Sequence, residues 1–188
     1  MSSREQYAPG AASDARIQKD GEKWTLILVR DLHHPPAKVW AALTDPAHLR
    51  EWAPFDSDRS LGAVGTATLS TVGTPTPQLS ETHVKRADAP RALEFNWGGQ
   101  DIRWELEPLG AGGTRLKLWH SIDRRFISMG AAGWQICFDV LDRLLAGHPI
   151  GRIVGPEAMK FGWQRLHAEY TKQFGVETSG SPPNAPKL

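Results

Sequence analysis

The chain reads as an α+β protein, with a curved antiparallel sheet of about six or seven strands wrapped around a long C-terminal helix. Three features predict it. Short segments between Thr66 and His120 are each closed by a connection holding Gly or Pro. The last of these segments alternate apolar and polar side chains with period two. A helical apolar stripe then begins at about Gly133, and it suits the role of covering the sheet's apolar face.

The elements follow in order. Residues 1–20 are small and polar without periodicity and are read as a flexible lead. Trp24 to Asp31, rich in β-branched and aliphatic residues, is the first strand. Pro35-Pro36 opens a short helix with Val39, Trp40 and Leu43 on its apolar side. Asp45, followed by Pro46, is a good cap for a second short helix running to about Trp52. The meander is Thr66–Val72, Leu79–Arg86, Ala92–Trp97, Ile102–Glu107 and Thr114–His120. Leu93, Phe95 and Trp97 share one face, as do Ile102, Trp104 and Leu106, and Leu116, Leu118 and His120. The opposite faces carry Glu94, Arg103, Glu105, Arg115 and Lys117. Trp134, Cys137, Phe138, Leu141 and Leu145 form the covering stripe, ended by Gly147 and Pro149. An extra helix is expected from Gly155 to about Phe174. The domain is set at residues 21–175, and 176–188 are read as a flexible tail.

Composition narrows the function classes. The 188 residues suit a single domain, and 40% hydrophobic with 23% charged residues supports a real core. A formal net charge of +1 carries no nucleic-acid footprint. No stretch approaches the ~20 apolar residues of a membrane helix. A polar N-terminus without an apolar segment shows no signal peptide, and one cysteine, Cys137, allows no internal disulfide. A cytoplasmic protein is the expectation. The seven histidines lack a two-ligand metal spacing, so neither metal nor other cofactor is expected.

The run Pro35-Pro36-Ala37-Lys38-Val39-Trp40-Ala41-Ala42-Leu43-Thr44-Asp45-Pro46, then Leu49-Arg50-Glu51-Trp52, resembles the N-terminal signature of the START-like (SRPBCC) superfamily. Its branch of heat-shock-chaperone ATPase activator-like proteins is the nearest. Ala87-Asp88-Ala89-Pro90, Gly113-Thr114-Arg115-Leu116 and Gly133-Trp134 extend the resemblance over about Trp24 to Gly147. It implies a helix-grip (Bet v allergen-like) fold and a pocket between sheet and helix. It does not imply one reaction, because members include binders, cyclases and chaperone partners. The chain departs from the pattern in the small, polar Thr66-Ala67-Thr68 after Gly65, and in continuing past Gly147 into another helix.

The inward positions define candidate ligand-binding residues: Leu69, Thr71, Thr82, Phe95, Trp97, Trp104, His120, Trp134 and Phe138. Pockets are mostly apolar with a few orienting polar groups, here Thr82 and His120. The same residue types also build ordinary core. His120 stands either as a ligand partner or acid–base group, or as a core histidine with its hydrogen bonds met. Cys137 reads as a small buried hydrophobe. The first function reading is a non-catalytic binder of an apolar or amphipathic small molecule: lipid, sterol, polyketide-like or aromatic. A cyclase or hydrolase using the same cavity is the second. The third is a chaperone-partner or regulatory module, meeting a protein partner or a second copy of the chain through the C-terminal helix.

Overall fold

Strands with one apolar face pair in the register that keeps those faces together, because a slip of one residue would turn the whole set to water. The computed structural model describes residues 1–176 of the chain. Its strands are β1 (Ala15–Asp20), β2 (Lys23–Leu32), β3 (Phe55–Ser57), β4 (Gly65–Thr71), β5 (Gln78–Val84), β6 (Arg86–Asp88), β7 (Ala92–Trp97), β8 (Gln100–Pro108) and β9 (Thr114–Ser121). One antiparallel sheet runs β1-β2-β9-β8-β7-β6 and a second runs β3-β4-β5. They are laced where β5 meets β7. The Lys85 N–H donates to the Glu94 carbonyl at 2.8 Å, and the Asn96 N–H to the Thr82 hydroxyl at 3.1 Å. The described residues thus hold more strands than expected. Two of them, β3 and β6, are three residues long, too short to display a period.

Register builds the floor of the core as rows of facing residues. Phe95, Ile102, His120 and Leu26 form one row, and Leu93, Trp104, Leu118 and Leu28 the next. All eight are buried.

The helices are α1 (Pro36–Thr44), α2 (Pro46–Trp52), α3 (Ile127–Leu145) and α4 (Trp163–Phe174). Asp45 caps α2 as expected, its carboxylate accepting from the Ala47 N–H at 2.9 Å. Helix α3 covers the concave face and starts at Ile127, earlier than the expected Gly133. Gly130 sits inside the helix against Ile122. A Cβ there would stand 2.9 Å from the Ile122 Cδ1, so the glycine allows a close approach. The expected helix from Gly155 is two pieces. A 3-10 segment, Gly155–Phe161, ends at Gly162, whose φ of +82° breaks the helical ladder before α4 begins.

Helix α4 packs on α3, with Trp163, Leu166 and Tyr170 buried and Met159 lying against the core. The stripe that the third reading offers to a partner is covered by the protein's own chain.

Residues 1–20, expected as a flexible lead, are tied to the domain instead. Ala15–Asp20 pairs along β2. Arg4 Nη1 donates to the carbonyls of Ile150, Gly151 and Arg152 at 3.0, 2.9 and 3.1 Å. The buried Tyr7 donates its hydroxyl to Asp139 on α3 at 2.6 Å, and Arg30 holds the other carboxylate oxygen at 2.8 Å. These contacts are polar and reach far along the chain, so they leave no local periodicity. Of the expected tail, Val176 is buried, and residues 177–188 lie outside the described ones.

Tyr7→Phe removes one hydrogen bond to a charged acceptor and leaves the ring in place. It should lower stability by about 2 kcal/mol, read from urea unfolding. An unchanged midpoint would show that the N-terminal segment does not stabilise the fold through Asp139.

Candidate functional site

Helical spacing on α3 turns Trp134 and Phe138 toward the sheet, where they meet the rows of inward strand residues. The Trp134 ring lies edge-on to Trp97 and Trp104, with centroids 6.0 and 5.6 Å apart. Trp104 also meets Phe138 at 5.9 Å and Trp52 at 6.1 Å. Phe55 stands 5.9 Å from Phe95 and 5.2 Å from Trp97. Tilted and edge-to-face pairs at such separations are favourable beyond the area they bury.

A buried indole N–H needs an acceptor, and this demand sets the polar chemistry of the cluster. Trp134 Nε1 donates to His120 Nδ1 at 3.0 Å. Nδ1 is therefore the acceptor nitrogen, and the imidazole proton sits on Nε2, a tautomer assigned from the hydrogen bonds. Nε2–H donates to Gln100 Oε1 at 2.7 Å. Trp97 Nε1 donates to the Thr71 hydroxyl at 2.8 Å, and the Trp97 ring stacks on His120 at 5.8 Å. Burial pushes the His120 pKa down to about 4, so the ring is neutral at physiological pH.

Of the nine predicted residues, Leu69, Thr82, Phe95, Trp104, His120, Trp134 and Phe138 are buried, while Thr71 and Trp97 are half-buried. Trp97, Trp104, His120, Trp134 and Phe138 form one contact chain, with Phe95 joined through Phe55. Thr82 serves elsewhere, because its hydroxyl accepts the Asn96 N–H and helps join the two sheets. Cys137 is buried on α3, its thiol pushed up to about 12 by loss of water. The sequence reading missed Trp52, Phe55 and Gln100. Phe55 stands on a strand too short to read, and Gln100 follows Gly98-Gly99, where a turn hides a side chain pointing at His120. The sequence places Trp52 at the end of its helix, but only packing brings it to Trp104.

The cluster reaches solvent at the end of the β7–β8 hairpin, where the half-buried Trp97 and Gln100 are register partners. Beyond Thr71 the chain is pinned. A Cβ on Gly155 would collide with the Gly73 carbonyl oxygen, so the two backbones touch there. Two concavities of about 800 and 400 Å³ lie over the outer face of the large sheet, around Ile27, Val29, Thr25 and Trp119. Their rims are ion-paired, with Arg115 on Asp31 at 2.8 Å and Lys23 on Asp101 at 3.0 Å. A solvated face is the ordinary reading of such a pattern. Among the described residues no group of three or more His, Cys, Asp or Glu is placed to hold a metal, and no helix is long and apolar enough to cross a membrane.

A one-faced sheet gripped by a long helix over an aromatic cluster defines a helix-grip domain of the START-like class. The chain belongs to the family described as "Activator of Hsp90 ATPase homolog 1-like protein", whose profile matches residues 33–146. No curated protein matches the chain. Solved structures share the fold. A conserved protein of unknown function from Enterococcus faecalis is 16% identical, with 85% of this chain and 90% of that one covered at a TM-score of 0.66. CalU16 from Micromonospora echinospora is 22% identical, covering 87% and 96%, at 0.62. A protein of Bordetella parapertussis, solved in solution, is 22% identical, covering 93% and 96%, at 0.61.

The buried histidine links stability to pH. Unfolded, an imidazole titrates near 6.5; folded, His120 titrates at about 4. Between those values the unfolded chain takes up a proton that the folded protein refuses, so stability falls as pH drops. From about pH 7.5 to pH 5 the His120 contribution should be a loss of about 2 kcal/mol. His167, also lowered by burial, adds to it in the same direction. Denaturant unfolding at both pH values checks this, and His120→Gln should lose most of the dependence.

Proposed function

We propose that the protein binds an apolar or amphipathic small molecule between the concave face of the sheet and α3, without catalysis. Lipids, sterols, polyketide-like molecules and aromatic compounds are the classes that suit it. The observation that carries this reading is the aromatic cluster itself. It joins β3, β7, β8 and α3, meets solvent at Trp97 and Gln100, and holds only a few polar groups. Apolar lining with a few placed hydrogen-bonding groups is the general character of small-molecule sites.

The rings pack on one another, so this reading requires a ligand to displace one of them. Trp97 is the ring to move, being half-buried and held by a hydrogen bond to Thr71. His120 supports binding over acid–base chemistry. Its partners are an amide and an indole, and its ring stays neutral down to about pH 4. The burial of the α4 stripe removes the surface on which the protein-docking reading rested.

Native mass spectrometry of the purified protein, with organic extraction, should find a retained apolar molecule. Tryptophan fluorescence should respond to at least one of the named classes. Thr71→Val, which frees Trp97, should tighten that binding roughly three- to tenfold. An empty protein, with no fluorescence response in either form across those classes, would overturn the reading.

A further inference from the structure

Histidine offers a donor and an acceptor, and its surroundings decide which nitrogen does which. Here the choice is forced. The indole of Trp134 is a donor only, it lies on the buried face of α3, and it points at Nδ1 from 3.0 Å. His120 therefore presents a fixed Nε2–H toward the hairpin end, where the group now accepting it is the Gln100 side chain at 2.7 Å.

Gln100 is the replaceable member of this chain. It begins β8 at the hairpin end, is half-buried, and its amide can turn to water. Beside it Trp97 stacks on the imidazole with planes 30° apart, so a planar molecule standing in for that indole would lie on the same ring face.

We infer that the ligand of this site is a planar apolar molecule carrying a neutral oxygen acceptor, a ketone or quinone carbonyl, which replaces the Gln100 side chain on His120 Nε2–H. The inference rests on the binding reading above and makes His120 its specificity-determining residue. A ligand offering only N–H or ammonium donors would set donor against donor. A carboxylate could accept the hydrogen bond, but it would be stripped of water among aromatic rings beside an uncharged imidazole. A carbonyl meets the donor without that desolvation cost.

Fluorene and 9-fluorenone have nearly the same size and shape and differ in one carbonyl group, so they separate the two ideas. In the native protein fluorenone should bind only a few-fold more tightly than fluorene, because its carbonyl exchanges for the Gln100 acceptor instead of adding a hydrogen bond. The His120 Nε2–H proton resonance should shift with fluorenone and not with fluorene. Gln100→Ala removes the competing acceptor, so it should tighten fluorenone binding several-fold and leave fluorene nearly unchanged. His120→Phe should abolish the discrimination. It also orphans the Trp134 N–H and can weaken the fold, so the Gln100 variant and the resonance decide the matter without it. Equal binding of both compounds with an unmoved Nε2–H signal overturns the carbonyl assignment and leaves the binding site standing. Binding of neither overturns this inference together with the reading beneath it.

Discussion

An apolar sheet face cannot be left to water, and most of this structure follows from covering one. The rows through Phe95, Ile102, His120 and Leu26, and through Leu93, Trp104, Leu118 and Leu28, create the demand. Helix α3 meets it with Ile127, Trp134, Phe138, Leu141 and Leu145 among its buried residues. Each large side chain taken from water contributes about 1.5–3 kcal/mol, so this contact outweighs any single hydrogen bond in the molecule. The other pieces attach to α3 in turn. Helix α4 lies along it, Tyr7 bonds to its Asp139, and Ser13 and Tyr170 bond to its Gln135.

Filling the space with tryptophan adds a second requirement, because each indole brings an N–H that must find an acceptor. Trp52 uses the Ala42 carbonyl at 2.9 Å, Trp97 the Thr71 hydroxyl, and Trp134 the His120 ring. The acceptors chosen for packing reasons become the polar points of the candidate site. Core and candidate site are the same residues here, which is why composition could not separate them. The distinction lies in exposure at one end, where Trp97 and Gln100 meet solvent while Trp104 and Phe138 do not.

Much of the frame was legible from local pattern. Pro36 and the Asp45–Pro46 pair mark α1 and α2, and period-two alternation places Phe95, Trp104 and His120 inward. The misses share a cause. Strands β3 and β6 are too short to show a period, and the N-terminal segment is held by side chains whose partners lie far along the chain, such as Arg4 on the 150–152 carbonyls. Gly130 and Gly162 look alike in sequence. One allows a helix to press on Ile122, and the other ends a 3-10 segment.

Periodicity and capping chemistry concern residues within a turn or a strand pair, so the amino-acid order alone determined the α+β plan, the inward face and the helix that covers it. Partners far apart in the chain are chosen only when the whole folds. Tertiary structure therefore decided that the nitrogen of His120 facing Trp134 is an acceptor, that Gln100 takes the remaining proton, and that the α4 stripe is buried at home. Hydrogen bonds between distant side chains depend on three-dimensional placement to within a few tenths of an ångström, and no spacing in a linear sequence carries that information.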